Sequence, residues 1–558
     1  MYLDTSKTRI KGKVYSRILL RESYRDNGKV KHRTIANLTH CSQKEIDAIK
    51  LAFEHKHDLE VLHRNAAAAK TQCSLIQGPS VGAVAILSGL ARDIGITQAL
   101  GSDRQGKLAL WQVIARVIDQ GSRLSAVRLA ASHACCDLLE LDSFNEDHLY
   151  ANLAWLSQNQ RAIESSLFQK THPGSKPSLF LYDVTSSYLE GQHNELGAFG
   201  YNRDGKRGKK QVVIGLLCDG EGVALSIEVF AGNTLDPKTL PSAIRKVAAH
   251  FGQGEVTFVG DRGMIKSPQI ADLASHGFHY ITAITKPQIE SLLKTGVLQM
   301  ELFDQALAEV SDQALRYVLR RNPWRAQEMQ AARGSKLATL ERKVEAANEY
   351  LAGHARAGLA AALKALGREI TKLKLGAWLE ALAKDGQRRV ELRIDEEQRA
   401  EEEKLDGCYV LKTDLKEEQA SKETVHARYK DLALVEQAFR ISKTVELEMR
   451  PIHVRREEST RGHALVVMLA YRLAQELGRR WVDLDITVEE GINALSTLCL
   501  TEIHSGGQPR CSVVPAPRLE IAALITRSGI KMPEVIKRHA AKVATKTKLQ
   551  KSRTKHST

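Results

Sequence analysis

The chain has 558 residues and a formal net charge of +15 at pH 7, which allows roughly three to four domains and favours a polyanionic partner such as nucleic acid. Its eight cysteines show no C-x-x-C spacing, and no uninterrupted apolar run reaches 18 residues. These features argue against a zinc ribbon, a disulfide framework and a membrane partner, and they predict a cytoplasmic protein.

The N-terminal segment, 1–62, is predicted to form a basic hairpin followed by a helix. Strand-like residues at 13–20 and 29–35 are joined by Asp26-Asn27-Gly28, and Asn-Gly favours a tight hairpin turn. A capping box, Ser42-Gln43-Lys44-Glu45, predicts a helix that runs to the end of this segment. The first 40 residues contain ten Lys or Arg and three acids, so this surface could lie on DNA phosphates or simply be solvated.

Residues 63–172 are predicted to form a helical, DNA-binding domain. Two amphipathic stretches in it are separated by Gln120-Gly121-Ser122-Arg123, which resembles the turn of a helix-turn-helix. Arg123 and Arg128 are the candidates for reading DNA sequence. Such turns occur in any helical bundle, so ordinary packing is the favoured alternative.

A change in composition introduces the segment 173–290, in which two strands each carry one carboxylate. The apolar strand Leu179–Ser186 contains Asp183, and a buried charge there is costly unless a cation or hydrogen bonds compensate it. A second apolar strand, 256–260, is followed directly by Asp261 and a glycine-bounded turn. The pattern predicts two aspartates brought to one place by two buried strands.

The remaining elements of this segment predict a compact α/β core. The loop 191–210 carries five cations that we expect near a phosphate backbone, with a solvated loop as the alternative: Arg203, Lys206, Arg207, Lys209 and Lys210. The other predicted elements are strands at 211–218, 223–230 and 279–285 and helices at 237–250 and 267–276.

An insertion, 291–404, is predicted to be mainly helical. Its composition is rich in Ala, Glu, Lys and Arg, with long helices expected at 326–350 and 355–382. The last segment, 486–558, is predicted to be helical until Pro515, and its end, 527–558, is predicted to be a disordered, basic tail that binds nucleic acid.

The second part of the core, 405–485, is predicted to contain a strand at 408–413 and a helix over 429–443. Tyr429, Glu436 and Lys443 recur every seven residues, which predicts that they share one helix face. The opposite face is expected to pack on the sheet through Leu434, Ala438, Ile441 and Val445.

Two strand-borne aspartates and a helix-borne glutamate are what a pair of divalent cations requires for in-line attack on a phosphodiester. Asp183, Asp261 and Glu436 are therefore the candidate catalytic and metal-binding residues, and their hard oxygen ligands favour magnesium. Glu446 and Glu448 are rival third acids, without a lysine seven residues on. Neither G-x-x-x-x-G-K-[ST] nor G-x-G-x-x-G is present, so no nucleotide cofactor is expected.

At these residues the chain resembles the DDE transposases of prokaryotic insertion sequences. It is most similar to the group whose third acid lies in a tyrosine, arginine, glutamate, lysine signature with gaps of two, three and six residues. Here those positions hold Tyr429, Leu432, Glu436 and Lys443. Leucine replaces the arginine, and its phosphate contact could come instead from Arg428, Lys430 or Arg440.

The resemblance implies an α/β fold: a ribonuclease H-like mixed sheet with flanking helices, a largely helical insertion, and an N-terminal hairpin plus helical domain. It implies DNA cleavage and strand transfer with Mg²⁺, for which Mn²⁺ can substitute. Tyr429, Arg440 and Lys443 would contact DNA, and Trp324 in the insertion could either stack on an extruded base or simply pack.

The implied partners are the terminal inverted repeats of the element and target DNA, bound by a homodimer in a synaptic complex associated with the nucleoid. Two alternatives stay open. One is a transposase-derived DNA-binding protein without cleavage activity, towards which Leu432 points. The other is a ribonuclease H-like nuclease that cuts without end preference.

Overall fold

The computed structural model describes residues 1–10, 13–54, 73–174, 177–251, 255–384, 386–443, 447, 449, 452–505, 508–539 and 541–546. These residues form two compact units. The first comprises Met1–Gly78, Leu500–Pro515 and Glu534–Arg538, and the second comprises Pro79–Cys499, Ala516–Pro533 and the residues from His539 onward. Within the described ranges, no helix combines the length and the apolar character needed to cross a bilayer.

The strands and helices are numbered in chain order. The strands are β1 (Tyr2–Ile10), β2 (Lys13–Asp26), β3 (Lys29–Asn37), β4 (Cys73–Ser80), β5 (Leu179–Tyr188), β6 (Gln211–Asp219), β7 (Ala224–Ala231), β8 (Thr257–Gly260), β9 (His279–Ala283), β10 (Ala308–Asp312), β11 (Leu315–Arg321), β12 (Leu379–Ala383), β13 (Val390–Ile394), β14 (Cys408–Thr413), β15 (Cys499–Ser505) and β16 (Gln508–Val513). The α-helices are α1 (Gln43–Glu54), α2 (Gly82–Asp93), α3 (Ile96–Leu100), α4 (Arg104–Ile118), α5 (Arg123–Ser132), α6 (Cys135–Leu139), α7 (Glu146–Thr171), α8 (Leu240–Lys246), α9 (Ser267–Ser275), α10 (Lys286–Lys294), α11 (Pro323–Gly353), α12 (Leu359–Leu373), α13 (Glu396–Lys404), α14 (Lys422–Lys430), α15 (Leu432–Lys443), α16 (Glu457–Arg480), α17 (Val488–Ser496) and α18 (Leu519–Ser528).

The first unit contains the predicted hairpin as part of a three-stranded antiparallel sheet, β1-β2-β3. Asn27 and Gly28 both have positive φ, 49° and 79°, as a two-residue turn of this hand requires. The capping box of α1 is confirmed, because Ser42 N donates to Glu45 Oε2 at 2.6 Å. Residues 55–62 of the predicted helix lie outside the described residues.

A second small sheet has the order β16-β15-β4. The prediction that the chain is helical as far as Pro515 is therefore wrong. The β15–β16 hairpin pairs antiparallel from Thr501 with Val513 to Ser505 with Gln508, and its long-range partner β4 lies over four hundred residues earlier.

Within the predicted helical segment 63–172, residues from Gly82 onward form the helices α2 to α7 of the second unit. Cys73–Ser80 instead form the strand β4, and 63–72 lie outside the described residues. Arg123 starts α5 after the Ser122 cap, yet its side chain is buried and its Nη2 lies 3.0 Å from His463 Nδ1. A buried guanidinium in this position cannot reach a DNA base. Arg123 therefore packs within the helical region and does not read DNA sequence.

The second unit is organised around an eight-stranded sheet of order β10-β11-β14-β9-β8-β5-β6-β7. β5, β8 and β9 are parallel neighbours, while β6 and β7 are antiparallel. Five strands in the order β7-β6-β5-β8-β9 form the ribonuclease H-like arrangement that the element order predicts. One face is covered by α8 and α9, whose Ile244 and Leu273 join Phe180, Phe258 and Tyr280 in a buried core.

The insertion contains the long helices α11 and α12, but also two hairpins that the composition does not predict. β10 and β11 extend the main sheet through β14, and β12 pairs with β13 in a separate two-stranded sheet. The helix predicted over 355–382 ends at Leu373, where Lys374 adopts the left-handed conformation with φ 59°. The insertion has its own core, which includes Leu340, Ile370 and Trp378.

Candidate active site

Asp183 lies in the middle of β5, with buried residues on either side of it. The pKa of this carboxyl is raised to about 7, mainly by burial and also by the charges of Asp261 and Glu436, against the lowering effects of the Val184 backbone N–H and Arg203. A carboxyl that loses hydration next to like charges holds its proton to neutral pH. The sequence-based expectation of a buried carboxylate in need of compensation is therefore met.

Asp261 follows the last residue of β8, which runs parallel to β5 in the register Leu181 to Val259. Its Oδ1 accepts hydrogen bonds from the backbone N–H of Arg262 at 2.7 Å and from the Tyr429 hydroxyl at 3.3 Å. Burial and the Asp261 charge raise the pKa of Tyr429, so this tyrosine donates as a neutral phenol. Adjacent parallel strands thus deliver the two aspartates to neighbouring positions.

Glu436 lies on α15, but the helix predicted over 429–443 is interrupted. α14 ends at Lys430, Asp431 forms a turn, and α15 begins at Leu432, so Tyr429 and Glu436 belong to different helices. The buried face of α15 consists of Leu432, Val435, Ala438, Phe439, Ser442 and Lys443. Of the predicted packing face, Ala438 is buried and Leu434 and Ile441 are half-buried, with Leu434 against Gly222 in the turn between β6 and β7. Val445 lies outside the described residues.

Lys443 does not share an exposed face with Glu436. Glu436 is exposed, whereas Lys443 is buried, with its Nζ 2.6 Å from Asp204 Oδ1. The two residues are seven positions apart on one continuous helix and therefore lie on the same side of α15, but this side is buried where the helix ends. Arg440, on the same helix, is exposed.

The three candidate acids nevertheless line one cavity of about 930 Å³. Tyr429 of α14 and Leu432 of α15 line it as well. Four segments of the chain therefore converge there: β5, the end of β8, α14 and α15. Among the described residues, no group of three His, Cys, Asp or Glu side chains is close enough to hold a single ion. The acids therefore share a cavity rather than one ready coordination sphere.

Carboxylate oxygens are the donors that hard divalent cations prefer. The crowding of like charge that helps to raise the Asp183 pKa is also what a bound cation would relieve. The donor chemistry of the cavity therefore fits divalent metal ions.

Five cations that sequence reasoning did not single out for this cavity also line it: Arg262, Lys286, Arg325, Lys374 and Lys430. They come from five separate elements or turns, and only Lys430 belonged to a segment already suspected of contacting phosphate. Their chemistry suits a polyanion passing beside the acids. No periodicity within one segment could have grouped them.

The basic loop supplies none of the described residues that line the cavity. Arg203 pairs with Asp236 at 2.6 Å, and Lys209 pairs with Glu190 at 2.8 Å. The other three cations lie at the surface or its edge: Lys206 over the Tyr188 ring, Arg207 exposed, and Lys210 donating to the Gln192 carbonyl.

The position of Trp324 settles which of its two predicted environments the structure shows. Trp324 does not pack, since 77% of its surface is exposed at the start of α11, next to the cavity residue Arg325. The rival acids Glu446 and Glu448 lie outside the described residues.

Two family models match separate parts of this chain. Residues 3–61 match the model of the IS1634 family transposase N-terminal domain, and residues 174–473 match that of the transposase DDE domain. No curated protein matches the chain. A solved structure similar to it is a piggyBac transposase synaptic complex with hairpin DNA, with a TM-score of 0.33, 8% identity, and coverage of 79% of this chain and 71% of that one.

The DDE domain spans more than half of the 558 residues and contains all three acids that line the cavity. Members of this family act on DNA and depend on divalent metal ions. The chain belongs to the DDE transposases of insertion sequences and is a DNA transposase.

Proposed function

We propose that Asp183, Asp261 and Glu436 are the catalytic carboxylates of this transposase, and that they cleave and join DNA at the ends of an insertion sequence. The observation that carries the proposal is that acids from β5, from the end of β8 and from α15 line one cavity and interact electrostatically. Asp261 and Glu436 both contribute to the raised pKa of Asp183, which requires the three carboxylates to lie near one another.

The three carboxylates would hold two magnesium ions, with manganese as a substitute. Bound there, such ions supply activation of a water or DNA 3′-hydroxyl nucleophile and neutralise charge on the leaving oxygen. Asp183 must release its proton before it can act as a ligand. Because its pKa is raised to about 7, ion binding at this carboxyl should strengthen as the pH rises through neutrality.

Tyr429 would act by orienting Asp261, to which its hydroxyl donates. An aspartate at the exposed end of a strand can rotate freely, and a neutral phenol that donates to one oxygen limits that rotation while leaving the other oxygen available. The same tyrosine lines the cavity, where it would also border the bound strand.

The cations around the cavity would bind the phosphate backbone of the DNA strand that enters it. Arg262, Lys286, Arg325 and Lys430 border the acids; Arg440 and the loop residues Arg203, Lys206, Arg207, Lys209 and Lys210 would extend the basic surface outside it. Trp324 is exposed beside Arg325, where it would stack on a base displaced from the cleaved end.

The segments are proposed to divide as 1–62, 63–172, 173–290, 291–404, 405–485 and 486–558, with end recognition in the first two. The substrates would be terminal inverted repeats and target DNA. A homodimer would hold two ends in one nucleoid-associated synaptic complex.

The second candidate function is end binding without cleavage, which Leu432 favours because it stands at the arginine position of the signature. Leu432 is buried at the edge of the cavity and cannot contact phosphate through charge. Lys430 lines the same cavity, however, so a cation is present close to that position.

The test is magnesium-dependent cleavage of DNA carrying the element's terminal repeats. Asp183→Asn, Asp261→Asn and Glu436→Gln should each abolish cleavage while retaining end binding. Asp272→Asn is the matched control, since Asp272 lies on α9 outside the cavity and, within the described ranges, its carboxylate pairs with His276 of its own helix at 3.8 Å. Equal cleavage by the wild type and the three variants would reject catalysis at this site, and binding without any cleavage would favour the second candidate.

A further inference from the structure

The lysine of the signature is held by a protein carboxylate inside the second unit. Lys443 Nζ lies 2.6 Å from Asp204 Oδ1, and the two side chains are 10% and 1% exposed. Lys443 also donates to Thr185 Oγ1 at 2.9 Å. Thr185 is two residues beyond Asp183 on the same face of β5, and Lys443 is two helical turns beyond Glu436 on α15.

Asp204 is itself tied to β5. Its Oδ2 accepts from the backbone N–H of Tyr188 at 3.1 Å, and the neighbouring Arg203 N–H donates to Ser186 Oγ at 2.9 Å. Asn202 Oδ1 in turn accepts from the N–H of Asp204 at 2.9 Å. The loop that carries the basic residues is thus fastened along the strand of the first acid.

Consecutive loop residues connect the separate segments of the site. Asp204 reaches α15 through Lys443, while Arg203 reaches Asp236 at 2.6 Å. Asp236 lies beside the turn after Asp261, since a Cβ on Gly263 would stand 3.9 Å from its Oδ2. The loop therefore joins the strand of the first acid, the turn of the second and the helix of the third.

We propose that Asp204 is a positioning residue of the transposase: through its buried ion pair with Lys443 it fixes α15 against β5, and so sets Glu436 opposite Asp183. The inference rests on the proposed function for its catalytic meaning. In this proposal Lys443 holds the loop and α15 together and does not bind a DNA phosphate. A phosphate could reach this ammonium only by displacing a carboxylate that is almost fully buried, which would leave that carboxylate uncompensated.

The two possible roles of Lys443, positioning α15 or binding phosphate, predict different effects of substitution on the cleavage rate and on the salt dependence of end binding. If Asp204 positions the helix, Asp204→Ala should lower the cleavage rate about 100-fold, the loss expected when reacting groups shift by about 1 Å. Lys443→Met should give a similar loss, and the double variant should lose less than the product of the two single losses, because each single variant already breaks the ion pair that the two residues share. If Lys443 instead binds phosphate, Lys443→Met should reduce the salt dependence of end binding by about one unit in slope.

The experiment combines three readouts on the full-length protein: cleavage under single-turnover conditions, the salt slope of end binding, and amide hydrogen exchange without DNA. Glu190→Gln is the matched control, since it breaks the exposed ion pair with Lys209 in the same region, where the side chains are 42% and 40% exposed. Asp204→Ala should speed exchange at Tyr188 and across 202–206, and Glu190→Gln should not. The double variant Asp204→Ala/Lys443→Met keeps the test valid should the single variant fold poorly, because no unpaired charge stays buried in it.

The proposal is overturned by wild-type cleavage in Asp204→Ala, by wild-type exchange of the loop in that variant, or by a salt slope reduced by about one in Lys443→Met. Hydrogen exchange requires no catalysis. A wild-type protein that does not cleave would therefore reject the proposed function, while faster exchange in Asp204→Ala would still establish the tie between loop and helix.

Discussion

Without metal, Asp183→Asn is expected to be more stable than the wild-type protein at neutral to alkaline pH, although it removes a proposed catalytic group. The pKa of Asp183 is raised from 3.8 to about 7, mainly by burial. The folded carboxyl therefore holds its proton more tightly than the unfolded one. The resulting stabilisation of the protonated folded state is complete below pH 3.8 and is lost as the pH rises through 7.

The size of this loss follows from the pKa shift. At 1.36 kcal/mol per pKa unit it is about 2 kcal/mol at pH 5 and about 4 kcal/mol at pH 8. Asparagine has nearly the shape of aspartate and carries no charge, so the variant escapes the loss. Magnesium should reverse the order of stabilities, because it would bind the wild-type carboxylates more tightly than the variant's.

The measurement is urea and thermal unfolding of both proteins from pH 5 to pH 8.5 in EDTA and then in magnesium. The Asp272→Asn protein, altered outside the cavity, should track the wild type throughout. A stability difference that does not grow with pH, or an Asp183→Asn protein that is less stable than the wild type at pH 8, would refute the reasoning from burial. Burial of Asp183 would then give this cavity no need for a cation.

Three further outcomes are expected. Tyr429→Phe keeps the ring but removes the hydrogen bond to Asp261, so single-turnover cleavage should fall about tenfold, the equivalent of one modest hydrogen bond, while end affinity in a filter-binding assay stays unchanged. Lys430→Gln should weaken end binding and lower the salt slope by about one unit, because one phosphate contact is lost; an unchanged slope would mean that Lys430 does not touch the backbone. Trp324→Ala should reduce the fluorescence change of a 2-aminopurine placed at the cleaved end, whereas Trp324→Phe should preserve most of it, because stacking needs only an aromatic face.

Much of the core could be predicted because its strands are short apolar runs bounded by turn residues. β5, β6, β7 and β9 lie within two or three residues of their predicted ends, and β14 matches its prediction, 408–413. Fully buried strands must be continuously apolar, so their signal is local. The same reasoning placed Asp183 inside a strand and Asp261 at the end of one.

The hairpins of the insertion, unlike the core strands, form through pairing with distant residues and not through a local apolar run. β11 contains Arg316, Arg320 and Arg321 among its seven residues, and its apolar run Tyr317-Val318-Leu319 is too short to predict a strand by itself. It becomes a strand because β14 pairs with it from Arg316 with Thr413 to Arg321 with Cys408. This pairing depends on residues almost a hundred positions away, which local propensity cannot detect.

In α15, which carries Glu436, local spacing predicts the helix, whereas contacts with distant residues determine which side of it is buried. Seven-residue spacing correctly predicts helical structure on both sides of Asp431, but the phase of α15 depends on packing. Val435 and Phe439 face inward in this helix, and Lys443 is buried with them because Asp204 compensates its charge. The partner of Lys443 lies on a loop more than two hundred residues earlier, so spacing alone suggested an exposed lysine.

The leucine in the signature can be understood from the same geometry. An arginine at the start of α15 would need its guanidinium to leave the buried face on which Leu432 packs. Leu432 instead stabilises that face, while Lys430 presents a cation to the cavity from the end of α14. The break at Asp431 is what lets both residues line the cavity, because a continuous helix would carry residues 430 and 432 on nearly opposite faces. Restoring a single helix through this position, for instance with Asp431→Ala, should therefore shift Lys430 relative to Glu436 and impair cleavage more than Lys430→Gln does, and equal effects of the two substitutions would argue that the turn has no such role.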